Sequence, residues 1–218
     1  MAKRSKEEAL ETRERILDAA IVVFHEHGVA RPSLTEVAEL AGVTRGAVYG
    51  HFENKADLFS ALCERVRLPT EIVSDADAAA CQANPLGKLR EIWLFLFHKA
   101  AADRDWQRIF DIIIHRCEMV EESGLIQQRL YEAHREGLAR MSELLRQAVL
   151  KGQLPADLDI DAAMPLLHGS LIGVLSEWLF RSEAFELAAA AERYVDSLLW
   201  MLQTAPMLRQ PAGSDSLS

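Results

Sequence analysis

The side chains best suited to a chemical role lie close together between residues 44 and 55. Arg45 brings a guanidinium, Tyr49 a phenol and His51 an imidazole, and a hydrophobic core would not combine three such groups. A guanidinium can form paired hydrogen bonds with a guanine edge in the major groove of DNA. Lys55 stands at the start of a predicted helix, where its ammonium and the exposed backbone N–H groups can hold a phosphate. This spacing favours contact with nucleic acid.

Two short predicted helices and a tight turn position these groups. Ser33 and Glu36 form an S-x-x-E capping box, which predicts a helix that begins at Leu34. The apolar positions of this helix recur at helical spacing and are Leu34, Val37, Ala38 and Ala41. Gly42 ends the helix, and Thr44 is a suitable N-cap for the second helix. The outward face of the second helix carries Arg45, Gly46 and Tyr49, so the pattern predicts a helix-turn-helix.

This segment is similar to the DNA-binding segment of the TetR family of one-component transcriptional repressors, which commonly reads T-x-x-x-[IV]-A-x-x-A-G-V-[ST]-x-G-x-[IV]-Y-x-[HY]-F-x-x-K-x-x-L. The residues in register are Thr35, Val37, Ala38, Ala41, Gly42, Val43, Thr44, Gly46, Val48, Tyr49, His51, Phe52, Lys55 and Leu58. Segments 3–13, 114–118 and 152–155 also resemble the AcrR and TtgR type of multidrug-efflux repressor within that family.

The resemblance implies roles for the residues of this segment. Phosphate contacts are expected from Ser33, Thr35, Thr44, Tyr49, His51 and Lys55. Arg45 is expected to read bases in the major groove, aided by the close approach of the backbone at Gly46. At position 50 the efflux repressors often carry Trp, whereas Gly50 of this chain lowers helix propensity by about 1 kcal/mol relative to Ala. A frayed end of the second helix is therefore expected.

The acidic residues of the chain are distributed unevenly. The formal net charge is -9, which is unusual for a DNA-binding protein because affinity for phosphates comes largely from Lys and Arg. Residues 1–67 contain ten Lys and Arg against eleven Asp and Glu, so most of the acidity belongs to residues 68–218. A near-neutral head can present a local cationic face, while the acidic remainder is repelled from the duplex.

Helical periodicity runs through almost the whole chain, and no segment alternates apolar and polar residues long enough for a sheet. The predicted fold is all-α, and the resemblance implies nine helices. Gly28 is predicted to end the first helix, Asn54 to cap the fourth, and a later helix to run from Trp106 to about Met119. The chain has 218 residues, of which 50% are hydrophobic, so a small head and a larger core domain are both possible. The predicted division is a helix-turn-helix DNA-binding domain at 1–54, a ligand-binding and dimerisation domain at 55–209, and a flexible tail at 210–218.

Cysteine usage and hydropathy indicate a cytoplasmic protein. The cysteines are Cys63, Cys81 and Cys117, an odd number at no metal-like spacing, and the basic amino terminus lacks the apolar run of a secretory leader. The most apolar run covers residues 162–180 and approaches membrane-spanning length. It contains Pro165, His168 and Glu177, so it is predicted to be a buried helix.

Apolar faces on four predicted helices of the larger domain suit a small-molecule pocket. Aromatic and Met side chains adapt to ligands of varied shape, and His168 and His115 could orient a ligand among them. The candidate lining residues are Trp93, Leu96, Phe97, Phe110, Ile113, Ile114, Met141, Leu145, His168, Leu171, Ile172 and Leu175. For each of these residues plain core packing is an open alternative.

The last two predicted helices favour a homodimer. Their small residues permit close contact between helices, and a twofold pair of heads can read two half-sites of an operator. The candidate interface residues are Gly169, Gly173, Trp178, Tyr194, Val195, Leu198 and Leu202. The alternative is that this helix pair fills the core of the single chain.

The sequence lacks the common signatures of an enzyme. It contains no G-x-S-x-G, no Gly-rich phosphate loop and no H-E-x-x-H, and the two histidines of His25-Glu26-His27 fall on different faces of a helix. No catalytic residue, metal or cofactor is therefore predicted, and no membrane partner. The pattern and the resemblance together favour a homodimeric repressor of a multidrug efflux operon, which a small apolar or aromatic inducer releases from double-stranded operator DNA. Two alternatives are a TetR-type regulator of a catabolic or lipid operon and an all-α small-molecule carrier or enzyme.

Overall fold

The computed structural model of the chain describes residues 2–66, 83–117 and 124–211. Within these ranges the protein forms nine α-helices, which confirms the all-α prediction. They are α1 (Ala2–His27), α2 (Leu34–Ala41), α3 (Arg45–His51), α4 (Lys55–Cys63), α5 (Pro85–Ala102), α6 (Arg104–Asp111), α7 (Gly124–Leu150), α8 (Ile160–Phe180) and α9 (Leu187–Thr204). Cys81, the predicted helix end at Met119 and the tail beyond residue 211 lie outside the described residues.

The helices divide into two compact units. The head unit contains α1 to α4, α6 and the first part of α7, to residue 132. The body unit contains α5, the rest of α7, α8 and α9. The predicted domain boundary between residues 54 and 55 stays a prediction, and the head unit is larger than that boundary implies because α4 and α6 both pack against α1.

Helix α1 is the centre of the head unit. Its buried side chains recur at helical spacing and include Ile16, Leu17, Ala20, Ile21 and Phe24. The ring of Phe24 lies 6.3 Å from that of Phe59 on α4, measured between centroids. The helix ends where Gly28 adopts a φ of 78°, as predicted for a C-terminal stop.

One helix of the head unit is followed by an irregular turn. After α6, residues Ile112–Arg116 form a π-helical segment, whereas the sequence predicted one continuous α-helix from residue 106 to about 119. π-Helical turns are rare and occur frequently at functional sites. This segment carries His115 and Arg116 toward α1, where the backbone N–H of Val29 donates to the Arg116 carbonyl at 3.3 Å.

In the body unit, α5 packs along α9. The two helices share a buried apolar seam and are joined at the surface by Arg90 and Asp196. Arg90 donates from Nε at 2.6 Å and from Nη2 at 3.0 Å to the two carboxylate oxygens of Asp196. This two-point bond lowers the pKa of Asp196 and fixes the axial register of α5 against α9.

Helix α8 is the most apolar helix of the described residues. Its length and mean hydropathy would let it cross a membrane, yet core helices of soluble proteins meet the same two criteria. Only 33% of the most apolar 18-residue stretch of α8 is buried within the single chain. The prediction of a buried helix therefore holds for one face of α8, and a second face lies at the surface.

Candidate nucleic-acid interface

Ser33 and Glu36 begin α2 with the predicted capping box. The Glu36 N–H donates to Ser33 Oγ at 3.4 Å, and the Ser33 N–H donates to Glu36 Oε1 at 2.9 Å. The Ser33 hydroxyl also donates to Glu36 Oε1 at 3.0 Å. These bonds from Ser33 lower the pKa of Glu36, so the capping carboxylate is ionised at neutral pH. The start of α2 is thus fixed by residues only three positions apart.

The turn between α2 and α3 has the predicted geometry. Gly42 adopts a left-handed φ of 64°, and the Val43 N–H returns to the Ala38 carbonyl at 3.0 Å. Thr44 caps α3 by accepting from the Ala47 N–H at 3.2 Å. The turn and the cap together orient α3 so that Val48 is buried and the face with Arg45 and Tyr49 is exposed.

Arg45 and Tyr49 lie one turn apart on the exposed face of α3 and contact each other. Arg45 Nη2 donates to Tyr49 Oη at 3.3 Å, and the guanidinium carbon lies 5.3 Å from the centroid of the phenol ring. The stacked ring restrains a long side chain that would otherwise sample many rotamers. Less conformational entropy is then lost when the guanidinium meets a base.

The other predicted DNA contacts surround this pair. Thr35 and His51 are half-buried, whereas Thr44 and Gly46 are exposed. A Cβ atom at Gly46 would meet only Thr44 Oγ1, at an ordinary 3.8 Å, so packing within the chain does not require glycine there. The close approach of DNA at Gly46 stays a prediction. The phosphate contacts of Thr35, Thr44 and His51 also stay predictions.

Lys55 has partners that the sequence did not indicate. Its ammonium donates to the carbonyl oxygen of Ala30 and, at 3.0 Å, to that of Pro32. These bonds tie the start of α4 to the loop that precedes α2. The predicted phosphate contact of Lys55 stays a prediction, and the side chain already has a structural role in the head unit.

The end of α4 is tied to α1 by Arg65, which follows in the 3-10 turn Glu64–Val66. Arg65 Nη1 donates to Asp18 Oδ1 at 2.7 Å, and Nη2 pairs with the carboxylate of Glu14. Lys55 and Arg65 therefore attach opposite ends of α4 to two elements that carry the helix-turn-helix, namely the loop before α2 and helix α1. We call these two elements the helix-turn-helix support. A displacement of α4 would move this support with it.

A carboxylate joins the π-helical segment to α1. Asp111 accepts from Arg116 Nε at 2.6 Å and lies 2.8 Å from His115 Nδ1 and 3.2 Å from His25 Nε2. Burial raises the pKa of Asp111, but the bonds from Arg116 and His115 outweigh burial and lower it. Sequence reasoning did not find this cluster, although the i,i+4 spacing of Asp111 and His115 was an available signal.

Gly50 does not end α3 early. The helix continues to His51, so the expected fraying is not observed, and no atom lies within 4 Å of a Cβ built at Gly50. Gly50→Ala is therefore expected to raise the free energy of unfolding by about 0.5–1 kcal/mol, because alanine restricts the unfolded chain more than glycine does. Chemical denaturation measures this change.

Gly42→Ala is the matched control for this prediction. The site also has open space for a Cβ, but its φ of 64° penalises alanine, so the free energy of unfolding should fall. Shifts of the same sign in both variants would contradict the assignment of these two glycines.

The candidate pocket residues are distributed over both units. In the body unit, Met141, His168 and Ile172 are half-buried, and the fully buried candidates are Trp93, Leu96, Phe97, Leu145, Leu171 and Leu175. In the head unit, Phe110, Ile113 and Ile114 are half-buried, and Phe110 meets Trp106 edge to face at 5.6 Å. Contact of these residues with a ligand stays a prediction.

The candidate dimer residues differ in how far the single chain buries them. Val195 and Leu202 are 0% exposed on α9, and Trp178 on α8 is also buried. Tyr194 and Leu198 are half-buried, and Gly169 and Gly173 are exposed. The place of these residues in a dimer interface stays a prediction, and the exposed positions have the most surface to offer a partner.

Comparison with known proteins agrees with this geometry. A family profile described as bacterial regulatory proteins of the tetR family matches residues 16–62. A profile described as the C-terminal region of MAATS-type transcriptional repressors matches residues 84–204. The first profile therefore covers the helix-turn-helix, and the second covers more than half of the chain.

Relatives and solved structures match over nearly the full length. The regulator TtgR of Pseudomonas putida is 37% identical over 210 residues, which cover 96% of this chain and all of TtgR. The regulator AcrR of Shigella flexneri is 36% identical over 215 residues, 99% of this chain and all of AcrR.

Two solved repressors are each 30% identical to this chain. The structure of MexZ, a repressor responsible for antibiotic resistance in Pseudomonas aeruginosa, has a TM-score of 0.75 and covers 92% of this chain and 98% of MexZ. The complex of SmeT with triclosan has a TM-score of 0.76 and covers 95% of this chain and 99% of SmeT. SmeT is the repressor of a multidrug efflux pump of Stenotrophomonas maltophilia. The chain belongs to the TetR family of bacterial transcriptional repressors and is related to those that regulate multidrug efflux.

Proposed function

We propose that this protein represses a multidrug efflux operon by binding a palindromic operator as a dimer, and that a small apolar or aromatic compound releases it. The observation that carries the proposal is the Arg45–Tyr49 pair on the exposed face of a doubly capped helix-turn-helix. The relation to TtgR, AcrR and SmeT supports the efflux operon as the target. DNA is the partner, so the protein acts in the cytoplasm.

In this proposal α3 enters the major groove and Arg45 bonds a base edge. Ser33, Thr35, Thr44, Tyr49, His51 and Lys55 hold the flanking phosphates. The phosphate contacts fix the position of α3 on the duplex, and Arg45 supplies the preference for one sequence.

Arg45→Ala is expected to weaken binding to a duplex selected by the parent protein from a random pool by about 1–3 kcal/mol. Binding to a scrambled duplex should change little, because one base contact is lost while the phosphate contacts remain. Fluorescence anisotropy with both duplexes measures the two affinities. Arg104→Ala removes the same charge from the exposed start of α6 and is the matched control. An equal loss on both duplexes for Arg45→Ala would show that Arg45 touches only the backbone.

The inducer pocket is proposed to lie in the body unit, among α5, α7 and α8. The predicted pocket residues of this unit include half-buried Met141, His168 and Ile172 and the buried aromatic residues Trp93 and Phe97. Aromatic and Met surfaces of this kind accept ligands of varied shape. The triclosan complex of SmeT supports an aromatic compound as the ligand class.

The dimer interface is proposed to be an exposed stripe on α8. Leu166, Gly169, Gly173 and Phe180 recur at intervals of three, four and seven residues, and all four are exposed in the single chain. Leu166 is 50% exposed and Phe180 is 78% exposed, which is unusual for large apolar side chains. The two glycines have no atom within 4 Å of a built Cβ, so they leave room for a partner helix to approach.

Induction is proposed to act through α4. The bonds of Lys55 and Arg65 attach both ends of this helix to the helix-turn-helix support, so a ligand that moves α4 would also move α3. In a dimer, such a movement changes the spacing between the two recognition helices. Release follows when that spacing no longer matches successive major grooves.

A further inference from the structure

The head unit contains an open cavity where the end of α1, the loop before α2 and the π-helical segment meet. Its volume is about 510 Å³, which lies within the range of about 300–1,000 Å³ for small-molecule sites. Six of the eight residues that line it carry a charged or imidazole side chain, and these are Glu26, His27, Arg31, Glu36, His115 and Arg116. Most small-molecule sites are lined mainly by apolar groups, so this lining selects a polar ligand.

The two guanidinium groups of the cavity differ in their partners. Arg116 donates from Nε to the Asp111 carboxylate at 2.6 Å, so its charge already has a counter-ion. Arg31 is exposed in the loop before α2 and forms no ion pair with a carboxylate of the described residues. Since a guanidinium offers paired N–H donors to a carboxylate, Arg31 is a binding group for an anion.

The cavity also has two carboxylates. Glu36 Oε1 accepts from the N–H and the hydroxyl of Ser33, which are both uncharged donors, so its negative charge is not neutralised by them. Glu26 Oε2 lies 3.9 Å from His27 Nε2, at the long end of ion-pair distances. A simple anion in the cavity would meet these two carboxylates, and a simple cation would meet Arg31. A ligand that carries both charges avoids both conflicts.

We propose that this cavity is a second small-molecule site and that it binds a zwitterion, a ligand with one carboxylate and one ammonium group. Arg31 binds the carboxylate of the ligand, and Glu36 and Glu26 bind its ammonium. The site lies within the head unit and does not depend on the inducer pocket proposed for the body unit.

A ligand in this cavity would join two parts of the head unit. Glu36 belongs to the capping box that begins α2, and Arg31 lies in the loop before it. On the other side, His115 and Arg116 belong to the π-helical segment, where the Arg116 carbonyl accepts from the Val29 N–H. Because π-helical turns occur frequently at functional sites, a bound ligand gives this segment a role apart from DNA contact.

The experiment compares three probes of the same chain length. They are 6-aminohexanoate, which is a zwitterion, 6-hydroxyhexanoate, which keeps only the carboxylate, and 6-aminohexanamide, which keeps only the ammonium. Isothermal titration calorimetry measures their affinities for the full-length parent. The parent should bind 6-aminohexanoate about tenfold more tightly than either of the other two, which corresponds to about 1.4 kcal/mol for each charge.

Two variants assign the two charges to their binding groups. In Arg31→Gln the affinity for 6-aminohexanoate should fall about tenfold, to that of 6-aminohexanamide, while 6-aminohexanamide itself binds as before. In Glu36→Gln it should fall to that of 6-hydroxyhexanoate. Glutamine serves the capping box as well as glutamate does, so this variant keeps the start of α2 intact.

Arg104→Gln and Glu39→Gln are the matched controls, since both remove the same charges from exposed positions of the head unit outside the cavity. They should leave all three affinities at parental values. A parent that does not bind 6-aminohexanoate, or that binds the three probes equally, would overturn the inference. A tenfold preference that survives in both Arg31→Gln and Glu36→Gln would also overturn it, because the zwitterion would then bind elsewhere. None of these outcomes bears on the proposed binding of operator DNA, which the Arg45→Ala experiment tests separately.

Discussion

Val195→Asp is expected to unfold the single chain rather than to separate two folded protomers. Val195 is 0% exposed on α9, which packs along α5, so an aspartate there would be a buried charge without a partner. Such a charge costs about 3–5 kcal/mol, a large fraction of the stability of a typical domain. Circular dichroism during urea denaturation should show a lower midpoint and, near physiological temperature, loss of helix signal.

Ser197→Asp is the control for this substitution. It introduces the same charge two residues later on an exposed position of α9 and should change the free energy of unfolding by less than about 0.5 kcal/mol. A Val195→Asp protein that stays fully helical and becomes monomeric would contradict the burial described above. It would instead support Val195 as a residue of the dimer interface.

Gly173→Glu is expected to divide the dimer while leaving each protomer folded. A Cβ at this exposed helical position meets no atom of the chain within 4 Å, and glutamate favours a helix more than glycine does. At a twofold contact the substitution places two bulky like charges where the helices should approach most closely. Light scattering should show the mass falling toward 24.4 kDa, and operator affinity should fall by about 10²- to 10⁴-fold because two linked heads become separate.

Gly124→Glu provides the comparison for a dimer effect. It is an exposed helical glycine with equally open space, at the start of α7 and outside the α8 stripe, so mass and operator affinity should stay at parental values. If Gly173→Glu remained a dimer with unchanged affinity, the α8 stripe would not be the interface.

Local rules were sufficient to predict the helix-turn-helix. The caps at Ser33, Thr44 and Asn54 each use a side-chain oxygen and an N–H three residues later, and all three are present. Gly42 terminates α2 through its own backbone conformation. Because every partner lies within a few residues, the sequence alone determines this part of the fold.

The faces of α9 could not be assigned in the same way. Val195 and Leu202 point into the single chain, while the neighbouring Tyr194 and Leu198 are only half-buried, yet all four are apolar or aromatic. Hydrophobic periodicity predicts the helix and cannot say which apolar face meets its own chain and which is left for a partner. That choice depends on α5, far away in the sequence.

The structural role of Lys55 could not be predicted from the sequence, because its partners are also distant along the chain. An ammonium at a helix start suits a phosphate, but the carbonyls of Ala30 and Pro32 lie 25 and 23 residues earlier and are brought near only by the fold. The π-helical segment 112–116 likewise has no pattern of its own in the sequence. Its residues continue the helical periodicity of α6, and the contacts of Asp111 with α1 are tertiary.

The pairing of α5 with α9 also governs the order in which the chain can fold during synthesis. Arg90 and Asp196 are separated by 106 residues, so at about 5–20 residues per second the ribosome needs roughly 5–20 s to supply the partner of α5. Throughout that interval the apolar face with Trp93 and Phe97 has no α9 to cover it. A nascent or truncated chain that ends before α9 therefore presents this face to chaperones and proteases, and the body unit closes only when translation is nearly complete.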